Sequence, residues 1–198
     1  MAKLDVTMQI RGIDAFLETL DNPLHRKIIE NYRRHAIFEI TGNKEQIFTP
    51  DMTVEHPVYY VNVNGMSLTL EGEEAILGLY SSLEEREATV MVVEDERFMV
   101  SDWGFASESY FNAFMPGTLV PPSWDADPDK LYILRQFFSM IWPYDESGRM
   151  IGEHVYEHVD KSQLIEVNPE DYITLAEARE KLLPLLRPLP ELDLQAQT

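Results

Sequence analysis

The stretch DMTVEHPVYY, residues 51–60, is the part of the sequence from which the rest of the fold can be read. Its β-branched and aromatic content marks an extended strand. Counted by twos from Val54, the strand puts Val54, His56 and Val58 on one face and Thr53 and Glu55 on the other. The one polar residue on the apolar face is therefore a titratable ring. Two explanations fit that alternation: a core histidine satisfied by hydrogen bonds, or a histidine projecting into a pocket whose wall the strand forms.

Working outward, residues 21–43 (DNPLHRKIIENYRRHAIFEITGN) predict a helix, with Asn22 as N-cap, Pro23 in the first turn and Gly42 as the stop. Before it, residues 1–21 read as an N-terminal extension with a short helix at IDAFLETL (13–20), and KEQIFTP (44–50) is a short helical lead into the strand. The strand turns at NVNG (62–65) into MSLTLEG (66–72). The next segment, EEAILGLYSSLEERE (73–87), has Ile76, Leu77, Leu79, Tyr80 and Leu83 at helical spacing, with acids in the first turn where the helix dipole favours them. Four β-rich segments follow: 88–101, 104–115, 131–142 and 148–159, with turn chemistry at 101–104 and 145–148.

Helices first and long antiparallel strands afterwards describe an α+β domain, a curved sheet wrapped on helices. The connection PGTLVPPSWDADPD (116–129) exceeds hairpin length and is either a lid or a tethered surface loop. Thr174 and Glu177 form a capping box for a C-terminal helix that Pro184 should disrupt, and the Pro-rich end beyond it reads as a loose or docking tail. The expected organisation is thus an extension (1–21), one domain (22–160) and a C-terminal helix with tail (161–198).

Composition limits function. The 198 residues carry a formal charge of −19, and nine acids between Glu71 and Glu96 face one cation, Arg86. Such a surface repels phosphate backbones and anionic lipid, so neither nucleic acid nor membrane is expected as a partner. The absence of cysteine excludes disulfides, thiolate nucleophiles and thiolate metal sites. The N-terminal residues lack a secretory apolar core, and no apolar run approaches the ~20 residues that span a bilayer; a cytoplasmic location is the expectation.

The run FTPDMTVEHPVYYVNVNGMSLTLEGEEAILGLY (48–80), four strands and a late DESGRMIGEHVYE (145–157) together resemble the nuclear transport factor 2-like superfamily, in its ketosteroid-isomerase and SnoaL-like polyketide-cyclase branch. The resemblance spans roughly residues 22–160 and implies a cone-shaped α+β barrel around a hollow. Its members include isomerases, dehydratases, cyclases, epoxide hydrolases and plain binding proteins, so the reaction has to come from the site. In ketosteroid isomerases the strand reads V-E-D-P, the aspartate being the proton-shuttling base; Val54-Glu55-His56-Pro57 occupies that pattern, which implies His56 as base.

The resemblance further implies Tyr32 or His35 as hydrogen-bond donor or second base on the first long helix, on a face shared with Ile28 and Glu39. Met140 stands where the isomerases keep a protonated aspartate, so half of their oxyanion hole has no counterpart. Glu153, Val155 and Glu157 would fall on the pocket face of the last strand, with Glu153 orienting His56, and the walls would be Val54, Val58, Phe138, Met140 and Val155. The expected function is acid/base chemistry without a cofactor on a small hydrophobic carbonyl-bearing or hydroxylated ring compound: isomerisation, dehydration or cyclisation. The alternative is a non-catalytic ligand- or protein-binding member. The resemblance and the many aromatic residues, among them Phe105, Phe111, Phe137 and Trp142, suggest a homo-oligomer through the outer face of the sheet.

One motif competes. His154 to His158 (HVYEH) matches the H-x-x-E-H zinc-protease pattern, which needs a helix; on a strand the two rings stand about 13 Å apart and cannot share a metal. No metal site is expected. Glycine-rich phosphate loops and G-x-S-x-G elbows do not occur in the sequence.

Overall fold

The computed structural model describes residues 3–85 and 89–192; Arg86 of the acidic run and residues 193–198 of the tail lie outside the described residues. Helix α1 (Met8–Leu17) is followed by the long α2 (Pro23–Thr41). The Asn22 side chain accepts from the Leu24 and His25 amides, and Gly42 closes α2 in the left-handed region at φ 70°, as the sequence predicts. A 3₁₀ turn (Lys44–Phe48) leads into β1 (Thr53–Val63), which turns at Asn64-Gly65, both at positive φ, into β2 (Met66–Glu71). Then come α3 (Glu73–Glu85), β3 (Met91–Ser101), β4 (Gly104–Pro116), β5 (Leu131–Pro143), β6 (Met150–Glu157), β7 (Gln163–Val167) and α4 (Leu175–Leu182).

The seven strands form one curved sheet of order β2-β1-β6-β5-β4-β3, with β7 pairing β5 beside β6. Only β1 and β6 run parallel; the other pairs are antiparallel. The sheet is open, so the expected cone is a half-shell, closed on its concave side by the helices. Ile28, Ile29, Tyr32 and Ile40 of α2 are buried against it, and Phe105 and Trp142 stack at 5.6 Å beneath Tyr32. These two rings, counted among aromatics too many for one core to hide, lie in the core because β4 and β5 pair with Phe105 opposite Trp142 on the concave side. Phe111 is half-buried on the same side, and Phe137 packs on Tyr110 on the other.

Four further segments differ from the expectation or decide between its alternatives. The first helix begins at Met8 rather than Ile13, because Asp5 accepts from both the Thr7 amide and hydroxyl and starts the turn there, so that Ile10, Ile13 and Leu17 are buried on one stripe. Strand β7 lies where only a C-terminal helix and tail are predicted, because its five residues are too few to stand out by alternation. The loop 116–129 is tethered: the Gly117 amide donates to Lys130 O, the Asp127 amide donates to the Tyr132 hydroxyl, and Trp124 packs on the small cluster of Met115, Val120, Tyr132 and Leu134. The tail docks, with Arg33 donating to Leu185 O and Arg187 forming a two-point pair with Glu30 at 2.7 and 2.6 Å. No helix among the described residues is long and apolar enough to cross a membrane.

Candidate functional site

Strand β1 faces the opposite way to the expectation. Thr53, Pro57 and Tyr59 are buried, while His56 and Tyr60 are exposed and Val54 and Val58 only half-buried. The register with β6 slips between Thr53 and Val58, and from there Tyr59, Val61 and Val63 point inward. His56 therefore stands on the outer face, not in the pocket wall, and Glu153 does not orient it. The sequence does carry the correct parity: beyond the proline, the odd positions Tyr59, Val61 and Val63 are apolar, and the even Asn62 is not.

The inward residues enclose a cavity of about 420 Å³ between α2, α3 and the sheet. Its walls are set by register. Tyr59 lies opposite both Leu70 of β2 and Glu153 of β6; Val61 lies opposite Leu68 and Val155; and Val155 lies opposite Met140 of β5. From α2, Tyr32, Ala36, Glu39 and Ile40 reach the cavity at helical spacing; Tyr80 and Leu83 come from α3 and Phe111 from β4. Of the expected residues, Tyr32, Glu153, Phe138, Met140 and Val155 line this space, while His56, Val54 and Val58 do not.

Two carboxyl groups face the same apolar space. Glu153 is 8% exposed and has neither a hydrogen bond nor an ion pair with any described residue. Burial raises its pKa well above the carboxylate norm, and the charge of Glu39 raises it further. Glu39 is itself pushed up to about 7 by burial. Two like charges in one dry site resist joint ionisation, so near neutral pH the pair tends to hold one proton. One of the two is then a carboxylic acid and the other a carboxylate, which equips the site to give and take a proton at once.

Around them most polar groups are engaged, the exceptions including Gln9 Oε1 and the Trp142 indole nitrogen, which are buried without a hydrogen-bond partner among the described residues. His35, behind the cavity wall, has Nε2 3.1 Å from the Tyr80 hydroxyl and 3.7 Å from Glu39; burial lowers its pKa to about 3, so it is neutral and no counter-ion. The Tyr59 and Tyr80 hydroxyls lie 3.4 Å apart, and burial keeps both firmly protonated. Tyr32 accepts from Gln9 at 2.9 Å and donates to Glu96 at 2.7 Å. Glu96 is turned inward by a bulge in β3, where the register with β4 shifts between Glu94 and Arg97 and Asp95 adopts φ 55°. Burial raises Glu96 to about 7 against the opposing pull of the Tyr32 hydrogen bond.

Glu39, Tyr59, Tyr80 and Glu96 are the members of this site that the sequence reading assigned no role. Glu39 was legible as sharing a helix face with Tyr32, whereas Glu96 depends on a bulge that alternation does not announce. The HVYEH histidines sit on a strand and past its end: His154 packs on Tyr60, and His158 bonds to Ser139. Among the described residues no group of three or more His, Asp or Glu could hold a metal ion.

No family model matches the chain, and no curated protein matches it by sequence. Solved structures do. Bal32a, from a soil-derived mobile gene cassette, aligns with a TM-score of 0.50 at 13% identity, over 68% of this chain and 92% of its own. A candidate polyketide cyclase from Xanthomonas campestris pv. campestris gives 0.49 at 10% over 70% and 95%, and a phenazine biosynthesis-related protein from Pseudomonas aeruginosa 0.47 at 12% over 88% and 95%. At such identities the likeness is one of fold alone.

Proposed function

We propose that this chain, which has the nuclear transport factor 2-like α+β fold, is an acid/base enzyme needing no cofactor, acting on a small, largely apolar ring compound that bears a carbonyl or hydroxyl oxygen. The observation that carries the reading is that Glu39 and Glu153 both line one apolar cavity, where burial raises the pKa of each. The protonated member donates to the substrate oxygen, and the ionised member takes a proton from a neighbouring carbon or hydroxyl. The pair ends with its proton on the other oxygen, so one site serves isomerisation, dehydration or cyclisation. Apolar walls exclude water and strengthen both transfers. This replaces His56 as the expected base by a carboxyl pair while keeping the reaction class.

A screen of hydroxylated and carbonyl-bearing ring compounds, followed by mass spectrometry for isomerised, dehydrated or cyclised product, tests the proposal. Turnover by the wild type that falls ~10²-fold or more in Glu153→Gln supports it, since general acid/base groups carry at least that much. Turnover unaffected by both Glu153→Gln and Glu39→Gln overturns it. Ligand binding without turnover in any member of the screen would favour the non-catalytic reading.

A further inference from the structure

Among the described residues, twenty-two line the cavity, and none of these is Lys, Arg or His. Its two ionisable acids are accompanied by the aromatic rings of Tyr32, Tyr59, Tyr80, Phe111, Phe138 and Trp142. Several of these rings pair closely: Tyr32 with Trp142 at 5.0 Å, Phe111 with Phe138 at 5.1 Å, Tyr59 with Tyr80 at 6.4 Å. The faces of aromatic rings carry negative potential and attract cations. The tyrosine hydroxyls that would hold an oxyanion are committed elsewhere, and the Trp142 indole N–H is a buried donor among the described lining residues that lacks a partner. Tyr32 gives its proton to Glu96, the Tyr59 hydroxyl lies against Met150 Sδ and Tyr80, and the Tyr80 hydroxyl lies against His35. Glu153, 8% exposed and without a protein partner among the described residues, is aimed into this space.

We infer that the cavity stabilises positive rather than negative charge, so that its substrate is an apolar ring compound that becomes cationic as it reacts, and shape-matched protonated amines are its preferred ligands. The inference rests on the proton-transfer reading and narrows it. An enolate would place negative charge beside a carboxylate, where the tyrosine hydroxyls already point their protons elsewhere and only weak help comes from the Trp142 indole N–H. Protonation of a hydroxyl, ether or epoxide oxygen by the acid member, with the C–O bond breaking toward that oxygen, leaves a carbon centre that carries positive charge. The ring faces and the remaining carboxylate stabilise it, and the step closes when the carboxylate takes a proton from the adjacent carbon, giving an alkene, or from an attacking hydroxyl, giving a cyclic ether. Acid-promoted dehydration and ring closure at oxygen are thereby favoured over enolisation.

The test uses the full chain and three probes on one cage, measured by calorimetry at pH 8: adamantan-1-amine, adamantan-1-ol and adamantane-1-carboxylate. The expected order is amine tighter than alcohol by about tenfold or more, with the carboxylate weakest, as cation–π and carboxylate contacts act together. In Glu153→Gln the amine should lose most of its advantage while the alcohol keeps its affinity. Equal or tighter binding of the alcohol or the carboxylate, or no binding of any of the three, overturns the charge preference. Because no turnover is involved, that result leaves the acid/base reading to its own screen.

Discussion

Tyr59 of β1 and Glu153 of β6 stand directly opposite each other in the parallel register, both in the cavity wall. That single pairing sets which residues can do chemistry. It sends Tyr59, Val61 and Val63 inward and leaves His56 on the outer face of the same strand. His56→Ala is therefore expected to leave both turnover and ligand-induced thermal stabilisation at wild-type levels. A loss of more than about tenfold in kcat/KM, well outside what exposed substitutions usually do, would return the histidine to the site.

The register also depends on Gly152. A Cβ there would fall 1.9 Å from the Val58 carbonyl oxygen, which is backbone and has nowhere to go. Gly152→Ala must push β6 off β1 at the residue next to Glu153. The expected loss is on the order of 2 kcal/mol or more by urea unfolding. Wild-type stability in this variant would mean that the two strands are not packed as described.

Stability should fall as pH rises through neutrality. Glu39 and Glu96 are each raised from 4.5 to about 7, so the folded chain holds their protons more tightly than the unfolded chain does. Their contribution is complete below about 4.5 and is lost as pH climbs through 7, each on the order of 3 kcal/mol. Urea midpoints measured from pH 5 to 8 should drop, less steeply in Glu96→Gln. Tyr32→Phe removes the donor that lowers the Glu96 pKa and should steepen the loss. A midpoint that rises from pH 5 to 8 in the wild type would contradict the burial of these acids.

Much of this architecture was legible because local chemistry and tertiary packing agree. Asn22, Pro23 and Gly42 bound α2, and Asn64-Gly65 makes the hairpin. The inward side of β5 and β6 was also legible, through Phe138, Met140, Glu153 and Val155. What failed did so where residue types and burial part. In β1 the buried Thr53, Pro57 and Tyr59 keep one parity throughout, but the apolar Val54 and Val58 stand on the other face; in β3 the bulge at Asp95 turns Glu96 inward although its neighbours Glu94 and Asp95 belong to an acidic run. Side-chain alternation has period two, so one extra residue reverses it, and nothing in the residue types reveals the insertion. Glu39 was visible on the right helix face, but its role emerges only beside Glu153, 114 positions away in sequence.

The shared proton is the heart of the account, and carboxyl ¹³C NMR of glutamate-labelled protein reads it without any substrate. With Glu39 and Glu153 assigned through their Gln variants, the wild type should show a first ionisation displaced up to about 7 with the other carboxyl still protonated above it, and in Glu153→Gln a lowered pKa for Glu39 as the like charge disappears. Two carboxyls titrating independently near 4.5, each indifferent to removal of the other, would contradict it.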